Sequence, residues 1–290
     1  MATMSSSGRA SVGSSSTHSS KPSSSSSKSF TPDCIAPEQR PRFIQPGLPT
    51  LTWPEEKGSA SIIYATRIYA PIALVASALL DTRSYSSWNR YCPTIQVNSQ
   101  PRSTAPIPPI VARDPSVAAI ANLPSTLRDG ATFTPHVLLD VASVPENASA
   151  AMQNSKYPTY NTKACPQLQV SALDQYIRPD GRICMRMAWR ARGKMTNFLL
   201  RNERVHELVT SPDDPNMTDY VCWETFYGGL NGAMQSVYGK QMERGYGMFM
   251  DGLKRNSEER ARGRAMAEEV IEQKRSNAED GLAPAPIVSI

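Results

Sequence analysis

Apolar and polar residues alternate most clearly in the segment RICMRMAW, residues 182–189. A period of two places successive side chains of an extended strand on opposite faces. One face is dry and holds Ile183, Met185, Met187 and Trp189, and the other is at least partly wet and holds Arg182, Cys184, Arg186 and Ala188. The preceding dipeptide, Asp180-Gly181, favours a tight turn because both residue types tolerate a positive φ. This segment therefore predicts a β-hairpin whose second strand lies against a hydrophobic core.

Other periodic segments predict more strands and two helices. Runs rich in β-branched and aromatic residues predict strands at 60–68, 94–97, 131–141, 167–177, 198–209 and 218–229. Pro71 begins a helical run that ends at Asp81. A long helix follows the last strand, with apolar residues at spacings of three and four: Met234, Tyr238, Met242, Tyr246, Phe249, Met250 and Leu253. This order predicts an α+β fold, in which an antiparallel sheet packs against a C-terminal helix.

Composition divides the chain into three parts. Residues 1–58 are rich in Ser and Pro and predict a disordered tail, because few apolar side chains offset the entropy cost of ordering it. Residues 59–258 hold the predicted domain, with segments near 98–130 and 142–166 that we interpret as surface insertions. Residues 259–290 carry both charges at helical spacing, which is typical of a solvated helical extension with a disordered end. A docking helix is the alternative, although it lacks a large apolar face.

Charge, cysteine content and motifs exclude several classes of protein. The net charge of +5 forms no basic stripe alternating with aromatics, as nucleic-acid binders show. No apolar run approaches the roughly 20 residues of a membrane span. Five cysteines without CxxC spacing predict neither a disulfide framework nor a metal site, and no cofactor-binding motif occurs in usable context. We expect a cytoplasmic monomer without cofactor, metal, nucleic acid or transmembrane segment.

The N-terminal charges leave one alternative for location. Arg9, Lys21 and Lys28 precede the first acidic residue, Asp33, as in a mitochondrial transit peptide. Such a peptide also needs an amphipathic face, which the serine blocks do not provide. A disordered cytoplasmic tail is therefore the favoured interpretation.

Two sequence patterns within residues 59–258 resemble those of a known superfamily. In the first, a helix begins at Ala-Pro and the pattern D…Y..WN…P.I follows, at Ala70, Pro71, Asp81, Tyr85, Trp88, Asn89, Pro93 and Ile95. In the second, W.T..GG at 223–229 leads into a helix that ends LK..SE at 253–258. With these patterns the chain resembles the START-like (SRPBCC) superfamily, in particular its polyketide cyclase/dehydrase and coenzyme Q-binding branch, including fungal members of unassigned function. The resemblance implies a helix-grip fold, with a cavity for a hydrophobic small molecule or lipid between a curved sheet and the last helix.

Glycines are frequent where the last predicted strand meets the long helix. Gly228 and Gly229 would allow a sharp turn between the two. Four more lie inside the helix, at Gly239, Gly245, Gly247 and Gly252. Each costs about 1 kcal/mol relative to alanine. These glycines either leave space for a ligand or strand, or bend the helix, or they face solvent and cost stability without a gain.

Large apolar side chains at the interface of helix and sheet would line the implied cavity. The candidates are Trp88, Met185, Met187, Trp189, Trp223, Tyr246, Phe249 and Met250. Methionine adapts to irregular shapes, which suits a pocket for a hydrophobic ligand. The alternative for each residue is an ordinary core position, because pockets and cores use the same residue types.

Few polar residues are placed to act on a bound molecule. The candidates are His136, Asp140, Arg186, His206 and Glu224. Glu224, if it faced inward, would be desolvated and could serve as a general acid or base. Adjacent strand residues face opposite ways, so Trp223 and Glu224 cannot both line the cavity. We expect inward Trp223 and outward Glu224, since burying the indole costs less.

The two histidines in predicted strands are weaker candidates. His206 shares its strand face with Asn202 and Arg204, which predicts a solvated position. His136 and Asp140 share a face, where a carboxylate could orient an imidazole. No Ser or Cys nucleophile motif accompanies them. The catalytic residue is therefore unknown, with Glu224, His136 and Arg186 as candidates for proton transfer.

Three functions fit the sequence. A binding or carrier protein for a hydrophobic small molecule or lipid is favoured, because the apolar alternation is strong and catalytic polar groups are few. The alternative is an enzyme similar to polyketide cyclases and aromatases that uses the same cavity. A third hypothesis is an adaptor whose tail and insertions make the interactions.

Overall fold

The sheet and helices of the computed structural model follow the predicted order. It describes residues 32, 34–101, 106–115, 117–138, 140, 162–193, 201–228 and 231–280, without the side chains of 162–164, 231–234 and 278–280. The strands are β1 (Arg42–Ile44), β2 (Ala60–Ile68), β3 (Thr94–Ser99), β4 (Thr132–Leu138), β5 (Thr162–Ala164), β6 (Leu168–Ile177), β7 (Ile183–Ala191), β8 (Arg201–Thr210) and β9 (Thr218–Tyr227). The helices are α1 (Ile72–Leu80), α2 (Tyr85–Trp88), α3 (Pro109–Ala112) and α4 (Asn231–Asp280), with 3₁₀ turns at Thr82–Ser84 and Ala118–Asn122.

Every strand pairing in the described chain is antiparallel. The spatial order is β1-β2-β9-β8-β7-β6-β4-β3, and β5 pairs with β4. The hairpin of β6 and β7 turns at Asp180-Gly181 as predicted, with a φ of 82° at Gly181. α4 lies across one face of the sheet, where Tyr246 and Phe249 join the main hydrophobic core. We call this face the inner face and the opposite one the outer face. The predicted α+β fold, an antiparallel sheet with a long C-terminal helix, is confirmed.

The N-terminal segment 34–58 covers the outer face of the sheet. Its strand β1 pairs with β2, and Ile35 belongs to an outer apolar cluster with Ile63 and Trp223. The indole N–H of Trp223 donates to the Pro49 carbonyl over 3.1 Å. The predicted disordered tail is therefore wrong for 34–58, because an apolar sheet face offers this segment the burial that its own composition lacks. Residues 1–31 and 33 lie outside the described residues.

The proline-rich segment near 98–130 also contributes to the core, so it is not purely a surface insertion. Four of its apolar side chains are at most 5% exposed and belong to the main core: Ile107, Val111, Val117 and Leu127. Within this segment α3 packs on α1. Proline removes backbone donors, but it does not prevent neighbouring side chains from packing. Residues 142–161 of the other predicted insertion, 142–166, lie outside the described residues.

Two glycines inside α4 allow neighbours to come close. A Cβ at Gly252 would lie 2.3 Å from the Trp88 carbonyl oxygen, and one at Gly245 would lie 2.4 Å from the ring of Tyr91. The solvent-facing interpretation is therefore wrong for these two positions. Gly228 has a φ of 102° at the end of β9, a left-handed conformation that permits the expected turn. Gly229 lies outside the described residues.

Gly252→Ala is expected to lower the free energy of unfolding by about 1–3 kcal/mol. Overlap with the Trp88 carbonyl outweighs the roughly 1 kcal/mol by which alanine is the better helix former. Gly263→Ala is the matched control, because a Cβ there meets nothing within 4 Å in the described chain and should stabilise the helix. Urea unfolding followed by circular dichroism measures both variants. Stabilisation by both substitutions would contradict a close contact between α2 and α4 at Gly252.

The last turns of α4 are exposed and rich in charged residues. Arg264 pairs with Glu268 one turn away at 2.8 Å and with Asp114 at 3.0 Å. α4 continues to Asp280, and residues 281–290 lie outside the described residues. Among the described residues, none of the helices combines the length and apolar character required to cross a membrane.

Candidate ligand-binding cavity

An apolar cavity of about 230 Å³ lies between the inner face of the sheet and α4. The helix α4 contributes Met242, Tyr246 and Phe249. The region from α2 to β3 contributes Tyr85, Tyr91, Cys92 and Ile95. The sheet and the chain beside it contribute Phe133, Pro135, Val137, Cys165, Pro166, Leu168, Trp189, Ala191 and Phe226. Aromatic and aliphatic side chains dominate the lining, as is usual in sites for small molecules.

One corner of the cavity is polar and centres on Glu224, which is 5% exposed. Arg204 Nη2 lies 2.7 Å from Glu224 Oε2, and Arg204 Nε donates to the same oxygen over 2.8 Å. Asn202 Nδ2 donates to Glu224 Oε1 over 2.5 Å, and the hydroxyl of Tyr246 donates to Oε2. Three side chains therefore satisfy the carboxylate within the corner.

The register of the sheet builds this polar corner. Trp189, Arg204 and Glu224 are directly paired across β7, β8 and β9, so their side chains project from the same face. Asn202 lies two residues before Arg204 on β8 and faces the same way. Tyr246 approaches from α4, and the guanidinium carbon of Arg204 lies 4.2 Å from the centre of its ring. The corner therefore depends on three strands and one helix at once.

Burial sets the protonation states around the cavity. Burial disfavours the charged form of Arg204, but Tyr246 and Glu224 outweigh it and hold the pKa of the guanidinium well above its usual value. Burial also raises the pKa of the Tyr246 hydroxyl well above its usual value, so this group is an O–H donor at neutral pH. Burial raises the pKa of Cys92 to about 12 and that of Cys165 to about 11, which makes both thiols neutral parts of the lining.

Two residues of the lining each hold a buried polar atom that has no hydrogen-bond partner within the described part of the chain. The atoms are the indole Nε1 of Trp189 and Oδ1 of Asn202. Buried polar atoms are nearly always paired, and leaving one unpaired costs about 1–3 kcal/mol. A ligand hydroxyl at the polar corner could accept from the indole N–H and donate to the amide oxygen, whereas a carbonyl oxygen could only accept from the indole N–H.

His206 lies directly behind the cavity wall. Its ring centre is 4.4 Å from that of Trp189 and 6.0 Å from that of Phe249. Its Nδ1 lies 2.8 Å from the hydroxyl oxygen of Tyr220, and the residue is 0% exposed. The predicted solvated position is therefore wrong. The polar neighbours of His206 on β8 mark the polar corner of the cavity, whereas the sequence suggested a wet surface.

The free energy of unfolding is expected to fall as the pH drops below about 6.5. Burial, followed by the charge of Arg204, lowers the pKa of His206 well below its ordinary value. The native imidazole therefore stays neutral while the imidazole of the unfolded chain binds a proton, which costs up to about 1.4 kcal/mol of stability per pH unit. His206→Gln should flatten this slope between about pH 6.5 and 5 in urea titrations. An unchanged slope would contradict a neutral, buried His206.

Trp223 and Glu224 face the opposite ways to those predicted. Trp223 is fully buried on the outer face beneath segment 34–58, and Glu224 lines the cavity. The prediction counted only the cost of burying a carboxylate in isolation. Arg204 offsets much of that cost here, and the N-terminal segment removes the outer face from water. Trp223 therefore does not line the cavity, contrary to the prediction.

The other apolar candidates divide between the lining and the adjacent core. Trp189, Tyr246 and Phe249 line the cavity. Trp88, Met185, Met187 and Met250 are buried in the same core, but they are not among the lining residues. For these four, the alternative of an ordinary core position fits the structure better.

The other polar candidates lie away from the cavity. Arg186 is on the outer face of β7, where its Nη2 pairs with Asp174 at 2.7 Å. His136 alternates with Val137, which lines the cavity, so His136 faces the other way. Asp140 is exposed. Of the three candidates for proton transfer, Glu224 is the one that the structure places at the cavity.

Several lining residues were not predicted from the sequence. The sequence places Arg204 and Asn202 on one strand face, and the period of two along β8 is the signal that could place them in the lining. No comparable pattern indicates the positions of Tyr91 and Phe133. Tyr91 lies in a loop, and the sequence does not show which face of its strand Phe133 is on. Their positions depend on how distant segments pack.

Comparisons with known proteins find distant structural likenesses. No protein-family model matches the chain, and a search of curated proteins finds no match. Similar solved structures include a START superfamily protein from Mycobacterium smegmatis, at 10% identity over 70% of this chain and 97% of that one, with a TM-score of 0.31. The Zhui aromatase/cyclase from Streptomyces sp. R1128 is 12% identical over 69% and 94%, with a TM-score of 0.34. A protein from Thermus thermophilus is 9% identical over 68% and 96%, with a TM-score of 0.36.

These likenesses are too remote to transfer a ligand or a reaction to this chain. The fold class rests on the strand order and on the packing of α4 described above. The chemistry of the cavity itself determines which ligands fit.

Proposed function

We propose that the protein binds a small, largely apolar molecule with one polar group in the cavity between the sheet and α4. The observation that carries this proposal is the buried pair of Arg204 and Glu224 at one corner of an otherwise apolar cavity. A buried ion pair contributes little to stability compared with apolar residues of similar volume. At the wall of a cavity, however, it supplies directional recognition of a ligand.

The size of the cavity favours a compact ligand. Its volume of about 230 Å³ is below the roughly 300–1,000 Å³ of sites for drug-sized molecules. Tyr91, Phe133, Trp189 and Phe249 present rings, which pack well against flat molecules. We therefore favour a compound of one or two fused rings over a long-chain lipid. Membership of the polyketide cyclase and coenzyme Q-binding branch is part of this proposal.

The polar corner defines the group that the ligand carries. Trp189 Nε1 is a hydrogen-bond donor and Asn202 Oδ1 is an acceptor, and both are unpaired within the described residues. The charge of Arg204 favours an oxygen that bears partial negative charge. A phenol or a ring ketone provides such an oxygen, and a phenol also provides a donor for Asn202.

A second candidate function is proton transfer to a bound ring precursor, as in an enzyme of the cyclase or aromatase kind. The observation that favours it is the Glu224 carboxylate at the cavity wall, hydrogen-bonded by the Tyr246 hydroxyl. A positioned carboxylate of this kind can act as a general acid or base. Glu224→Gln preserves the size of the side chain, so retained binding with loss of turnover would support this candidate.

Native mass spectrometry of the full-length protein purified from its own cells tests the binding proposal. We expect a stoichiometric added mass that disappears on solvent extraction. As a direct probe we choose 1-naphthol, with two fused rings and one hydroxyl, titrated against tryptophan fluorescence because Trp189 lines the cavity. A folded protein that has no added mass and binds neither 1-naphthol nor a panel of quinones and lipids would overturn the proposal.

A further inference from the structure

The apolar cavity meets the protein surface at one end of the sheet. Its lining residues at this end are exposed or partly exposed: Pro166, Leu168, Ala191, Asn202 and Met242. Leu168 and Ala191 are paired where β6 begins and β7 ends. Asn202 is paired with Phe226, one residue before the end of β9. These strand ends therefore surround the mouth of the cavity.

The first turns of α4 lie beside this mouth. β9 ends at Tyr227 and α4 begins at Asn231, so the helix starts from the same end of the sheet. Its cavity-facing stripe contains Met242, Tyr246 and Phe249, at spacings of four and three. Tyr238 precedes Met242 by one turn and belongs to the same stripe. It therefore lies on the outer side of the mouth.

The contacts of two glycines indicate the direction in which Tyr238 projects from α4. Gly245 faces Tyr91, because a Cβ there would lie 2.4 Å from that ring. Residues seven positions apart in a helix differ in direction by only about 20°, so Tyr238 projects to the same side as Gly245. Gly239 instead faces Phe43 of β1, at 3.7 Å from its Cβ position. Tyr238 therefore projects toward the side of α4 on which Tyr91 lines the cavity.

The exposure of Tyr238 distinguishes it from the other members of this stripe. Tyr246 and Phe249 are 2% and 1% exposed, whereas Tyr238 is 48% exposed. Its ring thus offers apolar surface at the mouth that a ligand could remove from water. Single exposed apolar residues are common on proteins, and Val237, at 66% exposed, is one that lies off the cavity-facing stripe. The position of Tyr238 on this stripe is what connects it to the cavity.

We propose that Tyr238 forms the outer wall of the binding site, where its ring packs against the bound ligand and slows its release. This inference rests on the proposed function and adds a residue outside the cavity lining to it. Aromatic rings pack well against flat molecules, and a tyrosine can do so while its hydroxyl stays in water. Tyr238 would therefore cover the part of a flat ligand that reaches the mouth.

Stopped-flow fluorescence of the full-length protein with 1-naphthol tests this inference. Tyr238→Ala should raise the dissociation rate about tenfold and leave the association rate within about twofold, because the lost contact exists only in the complex. Tyr238→Phe keeps the ring and should release 1-naphthol at nearly the wild-type rate. Val237→Ala is the matched control, and it should change neither rate. The urea midpoint of Tyr238→Ala should stay at the wild-type value, since the side chain is half exposed.

The outcomes separate this inference from the proposed function. If Tyr238→Ala binds 1-naphthol and releases it at the wild-type rate, the inference fails and the proposed function stands. Equal increases in Tyr238→Ala and Val237→Ala, or a lowered urea midpoint in Tyr238→Ala, would also overturn the inference. If the folded wild-type protein binds another member of the quinone and lipid panel instead, that compound replaces 1-naphthol in the same measurement. If it binds none of these probes, both proposals fail together.

Discussion

Replacing Arg204 with methionine is expected to lower the free energy of unfolding by about 3–5 kcal/mol. Methionine keeps an unbranched side chain but carries no charge, so Glu224 would remain as a buried carboxylate without its ion-pair partner. Asn202 and Tyr246 would still donate hydrogen bonds to it, but they do not replace a full positive charge. Urea unfolding at pH 7 measures the loss.

The double variant Arg204→Met/Glu224→Leu separates stability from recognition. Replacing a whole buried pair with apolar residues is often neutral, or stabilising by about 1–4 kcal/mol, so we expect this variant to recover the stability that Arg204→Met loses. It should nevertheless bind 1-naphthol about tenfold more weakly or worse, because the polar corner is gone. A double variant as unstable as the single one would contradict the description of the pair as buried. Undiminished affinity for 1-naphthol would contradict its proposed role.

Local patterns in the sequence predict the elements of this fold well. The strand Ala60–Ile68 has the predicted bounds, and the turn at Asp180-Gly181 joins the two strands expected to flank it. Both features depend on period-two burial or turn chemistry, which act over a few residues. The order of these elements was also sufficient to predict an antiparallel sheet packed by the C-terminal helix.

The directions in which the side chains of β9 point show why the candidate site is harder to predict than the secondary structure. Alternation establishes that Trp223 and Glu224 face opposite ways, but both sides of this strand turned out to be buried. Which side holds the cavity depends on Arg204 in β8 and on segment 34–58, which are distant in sequence from one another. The cost of burying a carboxylate alone therefore does not predict which way Glu224 points, because Glu224 is buried as a pair with Arg204.

The same reasoning explains the error at the N-terminal segment. Its composition resembles that of a disordered chain, and taken alone it has too few apolar residues to form a core. Its apolar residues Ile35, Leu48 and Leu51 instead pack on a sheet face that other segments build. The 34–58 segment thus affects the site indirectly, because it allows Trp223 to be buried outside and Glu224 to face the cavity.

Trp223→Ala is expected to lower the free energy of unfolding by about 3–5 kcal/mol without changing what the cavity binds. Trp223 is 0% exposed, and its removal leaves a void on the outer face and an unpaired Pro49 carbonyl. At a temperature well below unfolding, its affinity for 1-naphthol should stay near that of the wild type. Urea unfolding and fluorescence titration measure the two effects separately.

Trp189→Ala is the matched substitution on the inner face of the sheet. It should change ligand binding more, and stability less, than Trp223→Ala does. Trp189 borders space that is already open, so removing its side chain should cost less stability than removing that of Trp223. The substitution also enlarges the cavity of about 230 Å³ and deletes the indole donor. We expect weaker binding of 1-naphthol and a relative preference for the three-ring 1-hydroxyanthracene that rises roughly tenfold or more. Equal ligand preferences in the two tryptophan variants would contradict the cavity as the binding site, because only Trp189 of the pair touches it.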